Sequence, residues 1–537
     1  MRTTLLKHAL PFLFSALTLA CHEEDGVDKV ASTLPPSTLE NALFYASDSP
    51  DGGAAFTLDV ATKDAKIVHH DLPAGPIQTF ARPGSNGREV VVFTGGVVAH
   101  QLDGKQVPAV KAYVILFNRE REVLRQVLSS QYSQLTLTDD GKYAIAFGSS
   151  GNFALQNAVE VISFDKALAK ASDPNAPEAA TKIDLSLDGR QPTSFIFEPT
   201  TSTTRRLAIA PLANALQVID LVHPEQGEFS ITLSNTSTLQ PQKVVFAGEQ
   251  FFVQSQSSNQ ILSFQILPST TGPHPFQLAP TILTATAPVA DLTTAGSGDS
   301  LRLLALTGQL EVIDPLLNSS TKIPGVTQFS QIYKFDGTSP LDSTVAPRAA
   351  LYSTRSTQIG FVDLGSESAW ATRNVDLIEL GDPLVSLTPV PGKNLVLASH
   401  STNRVSVIDL QKRTVKRVLL DSAASTTLLD PSGTNLHLWV GTSGGALGVI
   451  DLQTFTSNEV PLTFKYANTG SFDESRQAPF TTSEALLLVP GAAGTPNRRI
   501  AVLQTGTSGR VTLLDADNPT SESALEVLGF YLEGLFD

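Results

Sequence analysis

Three side chains of this chain could supply acid–base chemistry and hold an anion: His400, Arg404 and His437. Imidazole exchanges protons near neutral pH, and a guanidinium stabilises developing negative charge. A hydrogen-bonded structural histidine is the alternative for His400 and for His437. The sequence contains no HExxH, CxxC or CxxCH pattern, so zinc and covalently bound haem have no support. We therefore predict no catalytic residue, no metal site and no cofactor. Two tryptophans, Trp370 and Trp439, are too few for a carbohydrate platform, and we expect them in the core.

Four other short patterns resemble catalytic or metal-binding motifs, but turns and strands explain them better. Gly441–Gly445 matches G-x-S-x-G around Ser443, yet it lies between two strand-like runs instead of between a strand and a helix. His69 and His70 are neighbours on a predicted strand, so their rings point to opposite faces. The runs 48–52 and 139–141 are rich in Asp and Gly, but each lacks the full calcium-binding loop.

A repeated phrase predicts the elements that must position these residues. A few aliphatic residues are followed by Asp at eight of ten sites, with Asn118 and Gln265 at the other two. The spacing is roughly 42 to 64 residues, which is typical of a four-stranded propeller blade. Asp at the end of a third strand can accept hydrogen bonds from the following turn. The eight are Asp59, Asp165, Asp220, Asp314, Asp363, Asp409, Asp451 and Asp515.

One unit shows all four strands of such a blade, at residues 384–420, with short turns of Pro-Gly-Lys, Ser-Thr-Asn and Gln-Lys-Arg. Its sequence NLVLASHSTNRVSVIDLQKRTVKRVLL resembles the YVTN-type repeat of bacterial surface and secreted propellers. The likeness is close over 382–462 and looser elsewhere. It implies an all-β fold, a propeller of four-stranded antiparallel blades. Ten phrases exceed the four to eight blades of typical propellers, so the ring is unusually large, some units are irregular, or there are two smaller rings. We expect one ring of about eight blades, with a range of seven to ten.

Ring closure and binding loops are also expected from the pattern. The first unit starts at 43–47 without a recognisable first strand, and extra sequence follows the last phrase at 524–536. We expect N- and C-terminal strands to close the ring, which removes exposed sheet edges. Insertions at 168–181, 268–281 and 464–483 read as loops, and long loops on a rigid scaffold are the usual place for binding.

Charge and cysteine content restrict location and partners. The net charge is −15 without a Lys/Arg block longer than two residues, so nucleic-acid binding is excluded as a function class.

The one cysteine, Cys21, follows a basic start and an apolar stretch of signal-peptide length. Residues 17–21, LTLAC, resemble the bacterial lipobox, which implies cleavage after residue 20 and lipidation of Cys21. An ordinary secretory signal with a chance cysteine is the alternative.

The sequence therefore predicts a removed lipoprotein signal peptide at 1–20, a lipidated, flexible tether at 21–41 and a propeller at 42–537. The residue after Cys21 is His22, which by resemblance to enterobacterial sorting favours the outer membrane. We expect a non-enzymatic scaffold that binds an envelope protein or polymer and contacts the membrane through its N-terminal lipid. A lactonase-like hydrolase acting at the axial mouth through His400, Arg404 and His437 is the alternative, implied only by the resemblance to such propellers.

Overall fold

Ten four-stranded antiparallel sheets follow one another along the chain, and nine of them are built from four consecutive strands. In the second sheet, an inserted hairpin separates the second strand from the third. The computed structural model describes residues 37–39, 42–47, 53–59, 67–85, 88–102, 105–118, 121–148, 158–185, 192–199, 204–212, 214–233, 241–270, 272–323, 329–335, 348–365, 370–390, 395–410, 412–430, 437–442, 446–452, 456–461, 483–489, 498–504, 510–517 and 525–528.

The first five sheets span the N-terminal half. Their strands are Ser37–Leu39 (β1), Ala42–Ser47 (β2), Gly53–Asp59 (β3) and Ile67–Leu72 (β4); Ile77–Ala81 (β5), Glu89–Thr94 (β6), Tyr113–Asn118 (β9) and Arg121–Val127 (β10); Gln134–Leu137 (β11), Tyr143–Phe147 (β12), Ala158–Ser163 (β13) and Ala180–Asp184 (β14); Ile196–Phe197 (β15), Leu207–Leu212 (β16), Ala215–Asp220 (β17) and Glu228–Thr232 (β18); Pro241–Ala247 (β19), Gln250–Ser255 (β20), Gln260–Pro268 (β21) and Phe276–Thr284 (β22). A small hairpin, His100–Leu102 (β7) with Lys105–Val107 (β8), is inserted in the second sheet.

The last five sheets repeat this plan. Their strands are Asp291–Ala295 (β23), Arg302–Leu306 (β24), Leu310–Asp314 (β25) and Ser319–Ile323 (β26); Gln331–Phe335 (β27), Arg348–Tyr352 (β28), Gln358–Asp363 (β29) and Asp376–Glu379 (β30); Leu384–Pro389 (β31), Leu395–His400 (β32), Arg404–Asp409 (β33) and Thr414–Leu419 (β34); Ala424–Asp430 (β35), His437–Thr442 (β36), Ala446–Asp451 (β37) and Thr456–Pro461 (β38); Ser483–Val489 (β39), Arg499–Gln504 (β40), Arg510–Asp515 (β41) and Leu525–Leu528 (β42).

The hydrophobic core lies between neighbouring sheets. Second and third strands such as β16 and β17 are nearly continuous runs of aliphatic residues, and both faces of these strands are buried. One cluster joins the fourth and fifth sheets through Val218 and Phe251, and another joins the ninth and tenth through Trp439 and Val502. Because each sheet needs a neighbour to bury its faces, this packing is that of a propeller.

The predicted fold class is confirmed, and ten sheets lie at the upper limit of the predicted range of seven to ten. The expectation that the first unit lacks a first strand is wrong. Residues 37–39, placed in the tether from sequence, pair with β2 in the register Ser37↔Phe44. At the other end β42 pairs with β41 as the fourth strand of its own sheet. The first strand of the tenth sheet, β39, contacts β1 of the first sheet.

Two of the predicted loops contain regular structure instead. Residues 168–172 belong to a helix, Phe164–Ser172 (α1), which starts after the N-cap Ser163 and buries Phe164 and Ala167. In the insertion at 268–281, β21 and β22 extend into one long hairpin, paired as far as Pro268↔Phe276. Among the described residues no helix is long and apolar enough to span a bilayer.

Antiparallel order divides the propeller into two faces, because first and third strands run opposite to second and fourth strands. On the hairpin face lie the turns that join first to second strands and third to fourth strands. On the linker face lie the 2–3 turns and the linkers, the segments that lead from each fourth strand to the next sheet. First strands lie side by side at the inner edge, where β23 contacts both β19 and β27.

The repeated Asp has the predicted role at five third-strand ends on the hairpin face. In each case one carboxylate oxygen accepts a hydrogen bond from a backbone N–H two or three residues further on. These bonds join Asp220 to Val222 (3.1 Å), Asp314 to Leu316 (2.9 Å), Asp363 to Gly365 (3.0 Å), Asp409 to Lys412 (2.9 Å) and Asp515 to Asp517 (2.9 Å).

Candidate functional site

Charged side chains connect neighbouring sheets across the hairpin face. Five arginines, named here the bridging arginines, lie near the 1–2 turns and reach an acceptor in an adjacent sheet. They link sheets two to five consecutively, and they also link seven to eight and nine to ten. The five are Arg82, Arg205, Arg206, Arg348 and Arg498.

The fourth sheet carries two bridging arginines that point in opposite directions. Arg206 lies just before β16 and pairs with Asp139 in the 1–2 turn of the third sheet. Arg205 pairs with Glu249 in the 1–2 turn of the fifth sheet, and its Nη2 atom also lies 3.0 Å from Oε1 of Glu198. Both guanidinium groups are largely buried, whereas Asp139 and Glu249 are each 64% exposed. The cations are therefore fixed inside the fold, and of their partners Asp139 and Glu249 face solvent whereas Glu198 is buried.

The other bridging arginines use the same geometry. Arg82 Nε donates to the carbonyl oxygen of Gly141 in the third sheet at 2.8 Å, and Arg348 Nη1 donates to that of Leu410 in the eighth at 2.6 Å. Arg498 precedes β40 and binds the buried Asp430 at the end of β35, while its Nη2 contacts Asp517 at 2.6 Å. Each bond adds a polar link to the apolar packing between two sheets.

Burial and hydrogen bonding set the protonation behaviour of the acids in this network. Burial raises the pKa of Glu198 more than the Leu207 N–H and Arg205 lower it. Burial likewise raises the pKa of Asp220, and this effect exceeds the lowering by the hydrogen bonds that its Oδ1 accepts from the N–H groups of Arg206 and Val222. For Asp140 burial acts in the same sense, but bonds from Thr138 and the Lys142 N–H prevail and lower its pKa. Because Glu198 and Asp220 are buried, the exposed acids of the network are the ones available to a partner.

An apolar tip lies on the same face, in the turn after β25. Leu316 and Leu317 are 61% and 74% exposed. Their backbone N–H groups are held by Oδ1 of Asp314, and Oδ2 of Asp314 lies 3.0 Å from Arg302. The turn is therefore fixed although its side chains are open to solvent. Fixed carboxylates and a fixed apolar tip on one face form a surface suited to binding, and we take it as the candidate site.

On the linker face, buried polar groups of third strands hold the linkers. The side chain three positions before the last residue of the third strand points inward. Glu160 accepts from Ser129 N (2.7 Å) and Ser129 Oγ (2.6 Å), and Glu311 accepts from Thr286 N and, at 2.8 Å, from Thr286 Oγ1. Ser129 and Thr286 both belong to the linker that precedes the sheet. Sequence analysis missed this position, although polar residues recur there.

In the eighth sheet, His400 also binds the preceding linker. Its Nδ1 atom lies 3.1 Å from the linker carbonyl of Pro383, and its Nε2 lies 2.8 Å from Oγ of Ser406. A carbonyl can only accept, so Nδ1 carries the proton and Nε2 accepts from the hydroxyl. The ring is 2% exposed. This is the hydrogen-bonded structural histidine named as the alternative for this residue.

The three residues considered for hydrolysis are not brought together. His437 pairs with Asp451 at the start of its second strand, on the hairpin face, whereas His400 ends its second strand on the linker face. Equivalent positions on such strands are five steps apart, or about 17 Å. Arg404 lies on the linker face, and its Nη1 bonds Oδ2 of Asp382 at 2.9 Å. The proposed lactonase-like set is therefore not assembled by the fold.

Other sequence-predicted residues have structural surroundings. Trp439 is fully buried between the ninth and tenth sheets, and Trp370 packs at the boundary of the sixth and seventh with Arg373 over its ring. His70 packs on Phe117, with ring centroids 4.9 Å apart. Within the described ranges no group of His, Cys, Asp and Glu could hold a metal ion. Outside the described residues lie Cys21, the runs 1–20, 48–52 and 464–482, and Ser443.

Comparison with known proteins adds no family. No protein-family model and no curated protein matches the chain. Among solved structures it is similar to dihydro-haem d1 dehydrogenase NirN in complex with DHE (15% identity, covering 65% of this chain and 71% of that one, TM-score 0.41). It is also similar to the Dos1 propeller (11% identity, covering 73% of this chain and 95% of that one, TM-score 0.39). A further similar structure is apo AztD from Citrobacter koseri (14% identity, covering 64% of this chain and 90% of that one, TM-score 0.33). At these identities and scores, no activity is taken from any of the three.

Proposed function

We propose that this chain is a bacterial envelope lipoprotein whose propeller of YVTN-type repeats is a non-enzymatic scaffold. Its hairpin face would bind an envelope protein or polymer. The observation that carries the proposal is the set of solvent-facing carboxylates, Asp139, Glu249 and Asp517, held in place by buried arginines. Because these carboxylates are already ordered, a partner does not have to immobilise them on binding, which lowers the entropic cost of association.

Charge supports a partner that carries basic groups. The chain has a net charge of −15, and the paired guanidinium groups on this face are turned into the fold. Complementary charge mainly accelerates association and selects partners, and added salt weakens the effect. The Leu316–Leu317 tip, next to the fifth sheet that carries Glu249, would add an apolar anchor of the kind that dominates binding energy.

Anchoring is supported by the N-terminal sequence alone. The basic start, the short apolar stretch and the lipobox-like residues 17–21 point to lipidation of Cys21 and to the outer membrane. More than one acyl chain gives stable membrane attachment where a single chain is marginal. The scaffold would then act beside the membrane, on its periplasmic or its cell-surface side.

A pull-down from intact envelopes tests the proposal, with bound proteins and polymers identified by mass spectrometry. The wild type is compared with Cys21→Ser, with the hairpin-face variant Leu316→Ser/Leu317→Ser and with Leu419→Ser, a matched exposed leucine on the linker face. We expect a reproducible partner that depends on Cys21, is weakened by the hairpin-face change and by salt, and is kept by Leu419→Ser. Recovery of no partner by the lipidated wild type, or equal recovery by the hairpin-face variant, would contradict the assignment.

A further inference from the structure

The N-terminal segment joins the propeller on the linker face. First strands begin on that face, and β1 begins at Ser37. Ser37 lies sixteen positions after Cys21, so the connecting chain spans at most about 55 Å when fully extended. If Cys21 carries lipid, the shortest path from the bilayer to the sheets therefore ends on the linker face.

Exposed aliphatic side chains lie on the same face. Val127, Ile282 and Leu419 lie at or near the carboxyl ends of the fourth strands of the second, fifth and eighth sheets, and they are 45%, 53% and 63% exposed. Val385 is the extra residue where the register between β31 and β32 shifts from Leu384 to Ser386, and it is 57% exposed near the start of its strand. A bulge of this kind turns a side chain out of the ladder.

The spacing of these residues favours a lipid surface over a protein partner. Three of them are separated by two intervening sheets each, so they form no contiguous patch of the size that a stable protein interface needs. A lipid surface is extended and demands no shape complementarity, so it can receive separate aliphatic side chains. Two charges near these side chains are paired: Arg125, two residues before Val127, with Glu122, and Asp382, three residues before Val385, with Arg404. Paired charges do not repel phospholipid headgroups.

We infer that the linker face lies on the bilayer that holds the Cys21 lipid, with Val127, Ile282 and Leu419 at the headgroup boundary. The hairpin face with its carboxylates then points away from the membrane. This inference rests on the proposed lipidation of Cys21. It assigns a lipid surface to one face and leaves the opposite face open to the partner.

The cysteine content allows a direct test in the full-length lipoprotein. Cys21 is the only cysteine, and in a lipidated protein its sulfur is blocked, so an introduced cysteine is the single free thiol. Ile282→Cys and Leu419→Cys report on the linker face, and Leu317→Cys is the matched control on the hairpin face. Each variant is labelled with an environment-sensitive fluorophore and reconstituted into phosphatidylethanolamine–phosphatidylcholine vesicles containing a spin-labelled quencher lipid. Thermal unfolding checks that all three variants are folded.

We expect loss of label fluorescence at 282 and 419 and no loss at 317. Protein that floats with the vesicles but shows equal quenching at all three positions, or quenching at 317 alone, overturns the inference and leaves the anchor intact. Protein whose Cys21 reacts with the label, and that stays behind when vesicles float, lacks the lipid, and that result overturns both the anchor and the orientation.

Discussion

The Nη1 atom of Arg498 lies 2.6 Å and 2.7 Å from the two carboxylate oxygens of Asp430, across the boundary between the ninth and tenth sheets. Asp430 is fully buried, so its charge depends on the groups that the fold places around it. Removing one partner of a buried pair costs more than the pair contributes net, because the remaining charge stays desolvated. This contact therefore couples two neighbouring sheets.

Replacing Arg498 by Ala should lower the free energy of unfolding by about 3–5 kcal/mol, the usual loss when a buried ion pair is broken. Urea unfolding can be followed by the fluorescence of Trp439, which is buried between the same two sheets. Arg355, an exposed arginine in the β28–β29 turn, provides the control, and Arg355→Ala should change stability by less than about 0.5 kcal/mol. Equal stability of the two variants would show that Arg498 does not hold the sheets together.

Asp220 gives a prediction about pH. Burial raises its pKa, so the folded state favours the protonated acid and loses stability as the pH rises through the range between the unfolded and the folded pKa. Asp220→Asn removes this titration and keeps an oxygen to accept from Arg206 N and Val222 N. The free energy of unfolding of the variant relative to wild type should therefore increase as the pH rises above about 4, and it should level off once Asp220 is ionised in the folded state. A difference that is constant with pH would contradict the shift.

Glu311 should be needed to hold its linker. Its carboxylate accepts from Thr286 N, Thr286 Oγ1 and Thr307 Oγ1, and the residue is fully buried. Glu311→Ala leaves these donors without their acceptor, and we expect a loss of about 1.5–3 kcal/mol in the free energy of unfolding. Glu311→Gln keeps one acceptor and should lose less. Chemical denaturation of both variants checks the order, and an alanine variant as stable as the glutamine variant would refute it.

β1 should protect the junction between the chain's two ends. It pairs with β2 and contacts β39 of the last sheet. A chain that begins at Ala42 exposes the edge of β2, and such edges recruit other strands. We expect it to unfold at lower temperature and to self-associate in size-exclusion chromatography, unlike a chain that begins at Ser37. A monomer with unchanged melting temperature would mean that β1 does not protect this junction.

Local sequence predicted the elements that depend on local chemistry. The repeated Asp marked third-strand ends because its hydrogen bond reaches only two or three residues, as at Asp314 and Asp409. Asp165 is the exception, because its strand ends at Ser163 and Asp165 lies in α1. The helix α1 escaped notice because its apolar residues are few and the Pro-containing segment after it suggested a loop. β1 escaped because three residues give no alternating pattern, and only pairing with β2 makes them a strand.

The candidate site could not be predicted in the same way. Arg206 and Asp139 are 67 residues apart, and Arg498 and Asp430 are 68 apart. Nothing in a single sequence states which arginine meets which carboxylate, because the pairing depends on how adjacent sheets are placed. The distance between His400 and His437 was also missed, because the two residues lie on equivalent strands but at opposite ends of them.

The bonds between linkers and third strands affect how the number of sheets in such a chain can increase during evolution. Ser129 with Glu160, and Thr286 with Glu311, each lie within one linker and the sheet that follows it. A tandem duplication that copies one linker together with its sheet would copy both members of the pair. Each new copy would arrive with its own attachment already encoded, and the attachment could later diverge, as in the eighth sheet, where His400 links Ser406 to the linker carbonyl of Pro383. The number of sheets can then change during evolution without a new set of contacts arising at every boundary.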